Sequence, residues 1–210
     1  FLLLFSYTTW LRSEQWSDNI SHAIYEARHH PQSHRAVFAA GRIYARLALQ
    51  KQPGTEAKAF EYRASASRLD RTGIMPDVTR VKLAFLLERP VDPAWLDTIL
   101  QKLSNSPATP SDISSLRDLA ECLDETCKLP AAMADQIFQA ASRDENPHAL
   151  TDYGYYAINK RGNFDKGLEL FTRTVELAPH DPQNWKNLIN LLIVIGSLDA
   201  AEQRLEELQA

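Results

Sequence analysis

Gly162 and Gly196 stand 34 residues apart, and the residues around them repeat with the same offset. Phe164 is followed by Leu198 at the matching place, Gly167 by Ala201, and Phe171 by Leu205. Pro147 and Pro179, 32 apart, close the two repeats. Each unit reads as a helix, a short turn at the glycine, and a second helix. A glycine there allows the left-handed exit from the first helix. A small residue at Gly167 or Ala201 lets two helices approach closely, and a bulky one at Phe171 or Leu205 fills the groove between repeats. Proline cannot continue the second helix. A single hairpin of this kind cannot bury its apolar face, so a period of this length predicts stacked helix pairs.

The pattern recurs elsewhere. WSDNISHAIYEARHHP reads as a helix ending at Pro31, and SHRAVFAAGRIYARLALQ as the first helix of the next pair. KQPG lengthens the turn before TEAKAFEYRASASRLD. The centre is more degenerate, yet each segment keeps helical apolar spacing, as in Leu116, Leu119, Ala120 and Leu123, and each is bounded by proline. Asp92 before Pro93, and Thr109 or Ser111 beside Pro110, read as helix starts. With only 7 glycines, the chain is expected to be all-α, with about six helical hairpins and no strands. The divisions are 32–75 for a repeat with a lengthened turn, 76–146 for degenerate central repeats, and 147–210 for two clear ones.

These positions resemble the tetratricopeptide repeat (TPR) family: Trp185, Gly196, Ala201 and Leu205 in the last unit, and Gly162, Phe171 and Pro179 in the one before. Gly41 and Tyr44 match the family's small and aromatic pair, while Thr151 replaces its usual tryptophan and Gly167 its usual alanine. The resemblance implies one right-handed superhelical solenoid of about six antiparallel helix pairs over residues 1–210. It also implies a protein or peptide partner in a concave groove lined by the first helix of each pair. By register the lining residues are Arg35, Phe38, Arg42 and Arg46 in one repeat, Asp152, Tyr156 and Lys160 in another, and Lys186 and Asn190 in the last. Arg35, Arg42 and Arg46 share a narrow sector of one helix. They read either as a basic patch for an acidic peptide, carboxylate or phosphate, or as a solvated face. Lys186 and Asn190 resemble part of a chaperone-binding carboxylate clamp, which needs further residues from later repeats.

No catalytic constellation is present: the sequence has no nucleophile elbow, phosphate loop or paired-carboxylate site, and no cofactor is expected. His22, His29, His30 and His34 crowd one region without an HExxH pattern, and read as a solvated helix end rather than a metal site. Cys122 and Cys127 lack the second ligand pair that zinc requires. They are either two reduced thiols or, if the helix ends near Leu123, a disulfide. The apolar content of 44% argues against disorder, and a net charge of -4 argues against nucleic acid as a partner. Trp10, Trp16, Trp95 and Trp185 read as core. Leu2, Leu3, Phe5 and Trp10 are either the buried stripe of a first helix or, over residues 1–15, the end of a membrane-spanning helix.

The opening segment and CLDETCKLP also resemble the repeat domains of bacterial polytopic membrane proteins of glycosyltransferase type. That likeness implies a place on the periplasmic side of an inner membrane, where Cys122 and Cys127 would pair; the alternative is cytoplasmic. The expected function is a non-enzymatic interaction scaffold. The alternative is an accessory domain presenting acceptors to a membrane glycosyltransferase. Two free thiols in protein taken from its native compartment without reductant would remove the periplasmic placement.

Overall fold

Short polar residues decide where the helices begin. Asp18 accepts hydrogen bonds from the backbone N–H of Ile20 and Ser21, Asp92 from Ala94, Asn146 from His148 and Asp181 from Gln183, each satisfying donors that a helix start leaves orphaned. In the last three cases proline occupies the first turn, where its missing N–H is not needed. Thr109 and Asp112 cap each other reciprocally.

The computed structural model describes residues 1–122 and 130–209, and among them twelve helices and no strands occur. They are α1 (Leu2–Ser17), α2 (Asn19–His29), α3 (His34–Leu49), α4 (Thr55–Leu69), α5 (Met75–Leu86), α6 (Pro93–Asn105), α7 (Pro110–Cys122), α8 (Ala131–Ala141), α9 (Pro147–Arg161), α10 (Phe164–Leu177), α11 (Pro182–Val194) and α12 (Leu198–Gln209). The all-helical class is as expected. Two boundaries differ. The helix expected from Trp16 begins only after Asp18, whose extended backbone and capping carboxylate end α1 and start α2. Pro147 opens α9 instead of closing the helix before it. Cys127 and the side chain of Cys122 lie outside the described residues.

The chain divides into two compact units, Phe1–Val91 and Asp92–Ala210. The division falls within the stretch 76–146 read as one run of repeats. In the first unit α2 through α5 pack in sequence, with α3 against both α4 and α5, around Tyr44, Ala45, Ala59 and Leu83. Helix α1 packs on α2. Its Leu2, Leu3, Phe5 and Trp10 are exposed, Trp10 by 58%, so the buried-stripe reading and the core role of Trp10 are corrected. The physical reason is spacing: consecutive apolar residues spread around a helix and do not make one face. No helix among the described residues is long and apolar enough to cross a membrane.

In the second unit α7 packs on α8 and α9, α6 on α8, and α9 to α12 each on the next. Gly162 and Gly196 adopt φ of +61° and +79°, and the N–H groups of Asn163 and Ser197 return to Ala157 and Leu192 at 2.9 Å, closing α9 and α11 as the repeat predicts. A Cβ on Gly167 would collide with the Ile158 side chain, so the close approach of α9 and α10 requires a residue without one. Phe171 is 2% exposed and packs with Trp185, Leu188 and Leu191. Its counterpart Leu205, on α12 where that helix packs on α11, is 44% exposed and does not fill a comparable groove.

The two matching positions should therefore respond unequally. Phe171→Ala should cost about 3–5 kcal/mol, and Leu205→Ala less than about 1 kcal/mol. Gly167→Leu should cost about 1–3 kcal/mol through overpacking against Ile158. Urea denaturation of the three variants measures each, and equal losses at Phe171 and Leu205 would contradict this packing.

Candidate functional site

Two adjoining cavities lie in the second unit, one lined by α7 and α9 and the other by α9, α10 and α11. The first, of about 310 Å³, is bordered by Arg117, Asp152, Tyr155, Tyr156, Asn159 and Lys160. The second, of about 370 Å³, has an apolar wall of Ile158, Phe164, Phe171, Leu191 and Val194, with Asn159, Asn187 and Asn190 supplying polar atoms. Tyr155 and Asn159 belong to both, so together they form one groove.

Tyr155 divides the groove. Its ring meets Phe171 edge-on at 5.2 Å, and its hydroxyl donates to Asn187 Oδ1 at 2.8 Å. Gln183 Nε2 donates to the same oxygen at 2.8 Å. The acceptor end of this buried amide is thus used twice, while Asn187 Nδ2 is buried with no hydrogen-bond partner. An unpaired buried donor is costly, and this one belongs to a residue of the cavity lining.

At the other end Arg117 Nη2 reaches both oxygens of Asp152 at 3.1 Å. Burial pushes the Asp152 carboxyl above the ordinary aspartate range, with Arg117 pulling it back. Burial also raises the Tyr155 hydroxyl, and the Asp152 charge adds to that.

The structure places the residues expected from sequence unevenly. Asp152, Tyr156 and Lys160 border the first cavity and Asn190 the second. Lys186 is exposed but borders neither. Tyr156 is 2% exposed, its ring stacked on Phe138 at 4.4 Å and its hydroxyl donating to Asp135 at 2.7 Å; burial, then this carboxylate, raise its pKa strongly. Only the edge of a core residue therefore meets the groove there. Arg35, Arg42 and Arg46 are exposed on α3 and Phe38 is half-buried, all in the first unit. The sequence reading did not pick out Arg117, Tyr155, Asn159, Asn187 or Val194. Val194 had a signal, since the 34-residue shift that takes Asp152 to Lys186 takes Lys160 to Val194.

A larger cavity of about 880 Å³ lies among α8, α9 and α10. Its charges are spent on one another: Arg173 binds Glu145 at 2.7 Å and Glu176 at 2.8 Å, and Lys166 binds Glu169 at 2.7 Å. No family model matches the chain, and no curated protein matches it.

The Asp152 environment is open to titration. A carboxyl raised in the folded state contributes stability that is present below its unfolded pKa of about 3.9 and lost as pH rises through the folded value. Carbon NMR should find Asp152 titrating above an ordinary aspartate. Arg117→Gln should raise it further by removing the opposing charge; a downward move would contradict the pairing.

Proposed function

We propose that this chain is a non-enzymatic binding scaffold of TPR type, and that its second unit holds an extended segment of a partner protein along α7, α9 and α11. The observation that carries this reading is the unused donor of Asn187 beside an apolar cavity. A backbone carbonyl is the acceptor such a donor lacks, and an apolar side chain next to it would enter the pocket walled by Phe164, Leu191 and Val194. Small-residue contacts at Gly167 and left-handed turns at Gly162 and Gly196 support the helix-pair repeat. In such an array the alternate helices α7, α9 and α11 would be the first members of successive pairs, so the groove falls where that architecture presents its ligand surface. The polar pair Arg117–Asp152 would set which residues are accepted at the far end.

Peptides selected on the full chain from a random extended library should share an apolar anchor. Val194→Glu and Asn190→Ala, both at exposed positions, should weaken their binding at least about tenfold while leaving the thermal melt unchanged. Selected peptides indifferent to both changes would sink the reading, as would a library that yields no binder.

A further inference from the structure

Arg63, on α4 of the first unit, is 6% exposed. Its Nε and Nη1 are both buried and neither finds a hydrogen-bond partner. The stem passes over α3 at Gly41, where an added Cβ would sit 3.4 Å from Arg63 Cγ. The guanidinium carbon lies 5.8 Å from the centre of the Phe38 ring. Burial, and after it the charge of Arg42, lower its pKa to about 10. The neighbouring charge it senses is therefore a second cation. An arginine this buried is ordinarily matched by a carboxylate, and this one is flanked by the wrong sign.

Arg42 and Phe38 are four residues apart on α3 and share a face with the exposed Arg35 and Arg46. From sequence that face reads either as a basic patch or as a solvated face, and Arg63 comes to it from a different helix, beside Phe38. An aromatic ring on one side restricts the guanidinium plane, while the N–H groups of Nε and Nη1 stay without acceptors. Both features suit planar, charge-assisted recognition of an oxygen anion.

We propose that Arg63 and Arg42 form an oxyanion-binding site in the first unit, taking a carboxylate or a phosphate group of a ligand. The site is separate from the α7–α9–α11 groove and stands or falls independently of it. Nε and Nη1 are closed to solvent in the unliganded chain, so the Arg63 guanidinium turns outward to meet the anion, which gives those N–H groups acceptors and offsets the charge of Arg42.

The test uses the full chain with inorganic phosphate, acetate or chloride at matched ionic strength, read by thermal melting and by the nitrogen-15 resonance of the Arg63 side-chain N–H. Phosphate should raise the melting temperature by several degrees and shift that resonance saturably. Arg63→Met should abolish the thermal response, and Arg42→Gln should weaken it at least threefold. A response to phosphate alone assigns a phosphorylated ligand, and an equal response to acetate assigns a carboxylate. If chloride does as well as either, or the Arg63 resonance of the unaltered protein ignores both oxyanions, the site is overturned. The resonance decides the matter even if Arg63→Met fails to fold.

Discussion

Phe171 needs a surface with no side chain beneath it, and Gly154 provides that surface. A Cβ on Gly154 would lie 2.5 Å from the Phe171 ring, so α9 can come as near to α10 as it does only because nothing projects there. The same ring then packs against Trp185, Leu188 and Leu191 from α11, and Tyr155 leans on its edge. One aromatic residue thereby sets the separation of three helices and supports the wall that divides the groove. Dense packing transmits such a constraint, since a shift at the ring has no empty space to be absorbed in.

Polar atoms in the groove are arranged with equal economy. Tyr155 and Gln183 both donate to Asn187 Oδ1, while its Nδ2 is left without an acceptor. Around the larger cavity on α8 and α10 the situation is reversed, because Arg173 and Lys166 are saturated by Glu145, Glu176 and Glu169. Exposed pairs of that sort contribute little to stability. Recognition depends on groups that the fold leaves unsatisfied, and volume alone does not supply them. The first unit repeats the lesson at Arg63, where position and burial are set by Phe38 and Gly41 while the hydrogen bonds are left open.

Helix ends were the most readable part of the fold. Caps such as Asp92, and glycines such as Gly162, act within one turn of chain, so their meaning survives without knowledge of the rest. Packing partners were less readable. Phe171 and Leu205 occupy one register position, yet burial separates them: Phe171 lies against Gly154 of α9 and Trp185 of α11, while Leu205 on α12 is 44% exposed. Tyr156 was placed on the right helix face but at the wrong depth, since its burial depends on Phe138 and Asp135 of α8. Arg117 and Asp152 join across 35 residues, and the pattern over residues 76–146 offers no register from which to pair them. Arg63 was not distinguished from the other arginines at all. Only the course of α4 over Gly41 makes it a buried residue.

Capping by Asp181 with Pro182 in the first turn does more than begin α11. Because neither feature can slide along the chain, it fixes the rotational phase of everything that follows. Asn187, Asn190 and Val194 reach the groove through spacings of three and four residues counted from that start. One residue inserted between Pro182 and Asn187 would turn the stripe by about 100° and send it toward the core or solvent. Substitution along the stripe leaves the phase untouched. A surface of this kind can be retuned readily through point changes, whereas insertions and deletions are confined to the turns between helices.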